Sequence, residues 1–180
     1  MLHRIFIAIN LPESIKKELV LWQGKWAHLP VRWTKPENLH ITLVFLGNMA
    51  DKELEGLKIK VGEIAKKHTP FSLNFTRIVY GPSKEQPRMI WVIAEESNEL
   101  LSIQKDIFGN LVSKSLETKF PHITLGRIRE WEFKRIDPEE KPAINEEISL
   151  EFPVSSIEIM ESKLKKSGPE YTIVKSVELL

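Results

Sequence analysis

Apolar side chains recur along this chain with two different periods, and each period predicts a different element. Residues 4–10 carry isoleucine at every second position, which is typical of a strand. Phe6 and Ala8 fill the alternate positions, so this first strand is expected to be apolar on both faces and therefore buried.

The segment after the first strand has the spacing of a helix. Leu11-Pro12-Glu13 provides a suitable first turn, and Pro30 ends the segment. Its apolar positions fall three or four residues apart at Ile15, Leu19, Trp22 and Trp26. This pattern predicts that Lys16, Lys17 and Lys25 point toward water.

The remaining pattern predicts an alternation of strands and helices that starts again near residue 85. Strands are predicted at Val31–Thr34, Leu39–Gly47, Phe71–Tyr80, Met89–Ala94, Phe120–Arg127, Ile148–Phe152, Ser155–Ser162 and Tyr171–Leu179, and helices at about 51–67 and 98–114. Gly81–Pro87 is the clearest loop. Strand, helix and strand recur at nearly equal spacing on either side of it, which predicts one domain over 1–180 built from two related lobes.

Composition narrows the class of protein without naming a function. The chain has 180 residues, 42% of them apolar and 28% charged, as expected of a soluble globular protein. It contains no cysteine, which excludes disulfides, a thiolate nucleophile and a cysteine-based zinc site. A formal charge of +1 means that any basic surface for nucleic acid must be local. No apolar run suits a membrane span and no signal peptide is recognisable, so a cytoplasmic monomer is expected.

The tetrapeptide His-Ile-Thr-Leu occurs twice, at His40–Leu43 and at His122–Leu125. Each copy falls in a predicted strand that comes after the first helix of its lobe. Alternate residues of a strand share a face, so each histidine should lie beside its threonine while isoleucine and leucine enter the apolar layer. A single His-x-Thr in a strand is usually structural, but the duplication at matched positions favours a shared site.

Two such pairs facing each other would suit acid/base chemistry on a phosphoester. Because imidazole titrates near pH 6.5, one histidine can activate water as a base while the other protonates a leaving oxygen. The two threonine hydroxyls could hold the non-bridging oxygens of a phosphodiester. This chemistry needs no metal and no cofactor, and the histidine spacings match no metal motif.

The chain resembles the RNA 2′,3′-cyclic phosphodiesterases, also called the 2′-5′ RNA ligase family, in the two-histidine phosphoesterase superfamily. The resemblance spans nearly the whole chain. It rests on both motifs and on Arg4–Ile9, Arg32-Trp33-Thr34, Leu39–Gly47, Pro87–Trp91, Phe120–Arg127, Ser156–Leu164 and Tyr171.

The resemblance implies a bilobal α+β fold, in which two pseudo-symmetric lobes with antiparallel sheets flank a central cleft and helices lie outside. It also implies hydrolysis of a terminal 2′,3′-cyclic phosphate on RNA to a 2′-phosphate, with O3′ leaving. By analogy His40 is the general acid and His122 the general base, an order that the sequence itself does not fix. Thr42 and Thr124 would hold the phosphate oxygens.

Several further residues are candidates for substrate binding. Arg127 follows the second motif, matches a common family position and could pair with phosphate; Arg129 is a weaker candidate. Tyr171 is favoured by the resemblance as a stacking partner for a nucleobase, and Phe6 and Trp33 are alternatives.

Lys163, Lys165 and Lys166 precede a turn predicted at Ser167-Gly168-Pro169 and could follow an RNA backbone. The expected substrates are therefore RNA ends or cyclic nucleotides. Three alternatives stay open: a 2′-5′ RNA ligase, a phosphodiesterase for small cyclic nucleotides, and a non-catalytic nucleotide-binding module.

Overall fold

Strands and helices lie where the apolar periodicity predicts them. The computed structural model describes residues 1–111, 121–166 and 168–180. Within these ranges the strands are β1 Leu2–Asn10, β2 Val31–Trp33, β3 His40–Ala50, β4 Phe71–Gly81, β5 Met89–Ala94, β6 His122–Ile128, β7 Asn145–Val154, β8 Ser156–Lys165 and β9 Gly168–Glu178. The α-helices are α1 Glu13–Lys25, α2 Asp51–Ala65, α3 Asn98–Leu111 and α4 Glu130–Lys134.

The differences from the predicted elements are local. The five-residue helix α4 was not predicted, because it is short and mostly charged and buries a single apolar side chain, Phe133. Lys16 was wrongly predicted to face water, since only 5% of its surface is exposed. Predictions for residues 112–114, Phe120 and Ser167 fall outside the described residues.

The strands form one antiparallel sheet with two similar halves. Its order is β7-β4-β5-β6-β3-β1-β8-β9, and β2 pairs with β6. The halves meet where β3 and β6 form a single residue pair, Ile41 with Ile123. This confirms the two-lobed α+β fold, although the two expected sheets are joined at their centre. Each motif strand lies at the junction, so the two motifs are neighbours.

Both motif strands carry a bulge at the same motif position. Between β1 and β3 the pairing passes from Ile7–Val44 to Ala8–Thr42 and skips Leu43. Between β5 and β6 it passes from Ile90–Gly126 to Trp91–Thr124 and skips Leu125. A bulge of this kind places two residues opposite one and bends the strand. The internal repeat therefore extends from the letters of the motif to its backbone register.

Two hydrogen bonds hold the main-chain carbonyl of Leu125, the bulge residue of β6, and one of them comes from helix α1. The carbonyl accepts hydrogen bonds from the Thr34 N–H at 2.8 Å and from Gln23 Nε2 at 3.0 Å. Buried carbonyls need such partners. Helix α1 packs against β6 and α3 against β3, so each helix supports the motif strand of the other half.

Candidate active site

The two motifs present their polar side chains on one side of the sheet junction. Ile41 and Ile123 are fully buried on the other side. Because these side chains are packed in the core, they hold the neighbouring His and Thr residues in place. The pKa of His40 is lowered in part by an electrostatic interaction with His122, as expected of two imidazoles in one site. The structure therefore brings together His40, Thr42, His122 and Thr124, as the sequence predicts.

Two hydrogen bonds fix the ring of His40. Nδ1 lies 2.7 Å from the carbonyl oxygen of Asn38, and Nε2 lies 2.8 Å from Thr42 Oγ1. A carbonyl oxygen can only accept, so Nδ1 must carry a proton and donate it. In the neutral ring, Nε2 then accepts from the hydroxyl of Thr42. The ring nitrogen of His40 that can accept a proton is thus Nε2, beside the threonine.

The pKa of His40 lies below its ordinary value. Burial is the main cause, because it disfavours the charged imidazolium. The hydrogen bond to the Asn38 carbonyl opposes this effect, while the charges of His122, Arg127 and Lys16 add to it. His40 is therefore mainly neutral at pH 7 before substrate binds.

Asn38 supports His40 and was missed by sequence reasoning. Besides its carbonyl contact, its Nδ2 donates to Pro169 O at 2.8 Å and its Oδ1 accepts from the Tyr171 N–H at 3.3 Å. It thereby joins β9 to the turn that precedes β3. An asparagine in a Lys35–Asn38 turn is ordinary in the sequence, and no local pattern points to its partners.

Aromatic rings surround His40. The ring of Phe6 lies 5.1 Å from the imidazole, and that of Tyr171 lies 5.2 Å away and perpendicular to it. Phe6 is only 1% exposed, so it forms the floor of the site and cannot stack on a base. Tyr171 is partly exposed and remains a candidate. Trp33 is partly buried against the core, across from Gly126.

His122 has a different support. Its ring stacks on Trp91, with centroids 4.0 Å apart and planes inclined by 22°. The indole in turn lies against the backbone of Gly81, where an added Cβ would come within 2.2 Å of the ring. Gly81 is therefore required to leave space for the ring on which His122 rests. Neither residue was selected from the sequence, because Trp91 has the appearance of an ordinary core position.

Arg127 lies on the same face as the motif because of the bulge. Three residues after Thr124 a regular strand would point to the opposite face, but Leu125 and Gly126 are both buried and Arg127 is exposed. Its charge contributes to the lowered pKa of His40. Its guanidinium is 3.6 Å from Met89 Sδ on the adjacent strand.

Three of the other four predicted cations form ion pairs within the protein. Arg129 lies 3.4 Å from Glu132 in α4. Lys163 pairs with Glu161 at 3.4 Å and Lys165 with Glu170 at 2.5 Å. These pairs leave less free positive charge at the β8–β9 tip than the sequence suggests.

The described part of the chain contains neither a metal-binding cluster nor a membrane-spanning helix. In residues 1–111, 121–166 and 168–180, no group of three or more His, Asp or Glu side chains could hold a metal ion. No helix in the same ranges is long and apolar enough to cross a membrane.

Known proteins are similar to this chain in both sequence and architecture. The profile of the LigT-like phosphoesterase family matches residues 9–91. Proteins named RNA 2′,3′-cyclic phosphodiesterase are similar over nearly full length: one from Methanocaldococcus jannaschii is 29% identical over 96% of this chain and 98% of its own. One from Aquifex aeolicus is 28% identical over 94% and 90%.

Solved structures have the same fold as this chain. A crystal structure of a Thermus thermophilus protein superposes with a TM-score of 0.82, at 26% identity over 98% of this chain and 97% of that one. The fold of E. coli LigT complexed with 3′-AMP matches with a TM-score of 0.81, at 22% identity over 99% of both chains.

Proposed function

We propose that this chain, which belongs to the LigT-like phosphoesterases, hydrolyses the 2′,3′-cyclic phosphate at the end of an RNA to a 2′-phosphate. The observation that carries the proposal is the pairing of Ile41 with Ile123, because it sets two His-x-Thr units side by side. The relatives named RNA 2′,3′-cyclic phosphodiesterase support the substrate. The fold shared with LigT in complex with 3′-AMP supports a nucleotide in the cleft.

In the proposed reaction one bond forms and one breaks at phosphorus. A water oxygen attacks phosphorus as His122 removes a water proton, and the bond to O3′ breaks as His40 Nε2 delivers a proton to that oxygen. The ribose regains its 3′-hydroxyl and keeps a 2′-phosphate. Thr42 and Thr124 hydroxyls and the Arg127 guanidinium hold the non-bridging oxygens while their charge increases.

The lowered pKa of His40 is compatible with its role as the acid once substrate is bound. In the free enzyme, burial and the positive charges of Arg127 and Lys16 favour the neutral ring. A bound cyclic phosphate brings a negative charge beside Nε2, which favours the imidazolium and raises the pKa. Binding of the substrate thus favours protonation of His40, the general acid. The Asn38 carbonyl stabilises the resulting imidazolium by accepting a hydrogen bond from Nδ1.

Product analysis tests the proposal directly. An RNA ending in a 2′,3′-cyclic phosphate should yield only the 2′-phosphate, and turnover should persist in excess chelator because the mechanism uses no metal. A 3′-phosphate product would reverse the leaving group, and loss of turnover in chelator would refute the metal-free mechanism. Nucleotide binding without any product would identify a binding module instead.

A further inference from the structure

Lys16 is a buried cation next to the proposed site. Only 5% of the residue is exposed, although lysine normally keeps its ammonium in water. Nζ lies 3.1 Å from Glu13 Oε1, but the side chain of Glu13 is itself 77% exposed. A single solvent-exposed partner offsets little of the lost hydration of a buried ion. Among the residues that the structure describes, Lys16 is thus left with capacity to donate further hydrogen bonds, since an ammonium carries more than one N–H.

Lys16 lines a pocket of about 440 Å³ that adjoins His40. Asn10, another lining residue, is the direct cross-strand partner of His40. Tyr171 lines the pocket as well, and its ring meets the imidazole edge-on at 5.2 Å. The volume is in the range of pockets that bind small organic ligands, about 300–1,000 Å³. The pocket therefore continues the cleft on the His40 side.

The lining favours a nucleobase over a second phosphate. Met160 and Tyr171 provide apolar wall, while Lys16 offers hydrogen-bond donors and Glu37 an acceptor. A flat heterocycle with ring nitrogens and carbonyl groups matches this mixture. A phosphate would instead meet the carboxylates of Glu13 and Glu37, which line the same pocket and would repel it.

The position also suits a base. The cyclic phosphate bridges C2′ and C3′ of the ribose, and the base is attached to the next carbon, C1′. With the phosphate between His40 and His122, a base must lie a few ångströms from it, and the pocket opens beside His40. This step rests on the function proposed above, because that function places the phosphate.

We propose that the pocket lined by Lys16, Met160 and Tyr171 receives the nucleobase of the terminal nucleotide, with the Lys16 ammonium donating a hydrogen bond to a ring nitrogen or carbonyl oxygen. Lys16 is then a specificity-determining residue, which distinguishes a nucleotide from a bare ribose cyclic phosphate.

The test compares two substrates that differ only in the base. Uridine 2′,3′-cyclic phosphate and methyl riboside 2,3-cyclic phosphate, which carries a methoxy group in place of the base, are assayed for kcat/KM. We expect wild-type protein to prefer the nucleotide. Lys16→Met, which keeps the chain length without the ammonium, should lower the nucleotide-to-riboside ratio by about tenfold or more.

The ratio is the proper readout because Lys16 also contributes to the lowered pKa of His40. Its removal therefore changes the rates for both substrates. Lys16→Arg keeps a donor and should restore most of the preference. Lys17→Met is the matched control, because Lys17 is an exposed neighbour in the same helix, and the ratio should not change. Lys16→Leu, which also lacks a donor, replaces Lys16→Met if thermal unfolding shows that the latter is unfolded.

Equal kcat/KM for both substrates in the wild type, or the same ratio in Lys16→Met and wild type, would overturn the proposal. Absence of turnover with either substrate would instead contradict the proposed function. In that event dissociation constants for uridine 2′-phosphate and methyl riboside 2-phosphate decide, because the preference for the uridine compound must still depend on Lys16.

Discussion

The two halves of the site have the same four-residue motif but hold their histidines in different ways. His40 is fixed by hydrogen bonds to Asn38 and Thr42, with aromatic rings at its edges. His122 rests flat on Trp91 at 4.0 Å. The residues opposite the two threonines are Ala8 in β1 and Trp91 in β5. The motif thus supplies matching chemistry, while the adjacent strands give the two imidazoles different surroundings.

The positions after the two bulges differ in the same way. Phe45 pairs with Phe6, and Arg127 pairs with Met89 at the equivalent register position. Both Phe45 and Arg127 are exposed. One half therefore presents an aromatic ring, and the other a guanidinium suited to phosphate. A difference between the two halves at Phe45 and Arg127 suits a substrate that presents different chemical groups to each half of the site.

The largest effect should come from removing either imidazole. His40→Ala and His122→Ala should each lower kcat by about 10²–10⁴-fold, as expected for loss of a general acid or base. Single-turnover kinetics on a 2′,3′-cyclic nucleotide measures this. If one variant keeps full activity, its half of the site is structural and the symmetric mechanism is wrong.

Removing one threonine hydroxyl should have a smaller effect. Thr42→Val and Thr124→Val keep the side-chain shape and should each lower kcat/KM by about tenfold to a hundredfold, through loss of one hydrogen bond to a charged oxygen. Thr42→Val should also alter the titration of His40, since Thr42 contacts Nε2. Thr76→Val on β4, two strands from β6, is the control, and its turnover should equal that of wild type.

Gly81→Ala should disturb only the half that contains His122. A Cβ within 2.2 Å of the Trp91 ring forces the indole to move, which should destabilise the fold by about 1–3 kcal/mol. NMR should then show shifted resonances for His122 and little change for His40. Gly62→Ala in α2 is the control: among the described residues, no atom beyond the nearby backbone of its own helix lies within 4 Å of the added Cβ. Helix propensity predicts a gain of up to about 1 kcal/mol. Equal denaturant midpoints for wild type and Gly81→Ala would disprove the role of Gly81.

The smallest expected effect is electrostatic. Arg127 lowers the pKa of His40, so Arg127→Gln should raise it, because a nearby positive charge no longer opposes the imidazolium. In wild type the His40 midpoint should lie below about 6.5 by NMR titration. It should move upward in Arg127→Gln and upward again when a nucleoside 2′-phosphate binds. If the nucleoside 2′-phosphate leaves the titration midpoint of His40 unchanged, His40 is not an acid that is protonated on substrate binding.

Much of the fold could be predicted from local pattern. Isoleucine alternation in residues 4–10 predicts β1, and the spacing from Ile15 to Trp26 predicts α1. The duplicated motif predicts two facing His-x-Thr units, and the structure places them together. The strands and helices can be predicted because the side-chain period of each is set by neighbouring residues within one segment of the chain.

The sequence by itself determined the α+β class and the four motif side chains at the junction. Tertiary structure decided the rest: Asn38 and Trp91 as supports, the burial of Lys16, and the turn of Arg127 toward the cleft. Arg127 reaches that face only because β5 pairs with β6 through a bulge at Leu125, whose carbonyl accepts hydrogen bonds from Thr34 and Gln23. Pairing register and cross-lobe packing join residues far apart in the chain, and no local period encodes them.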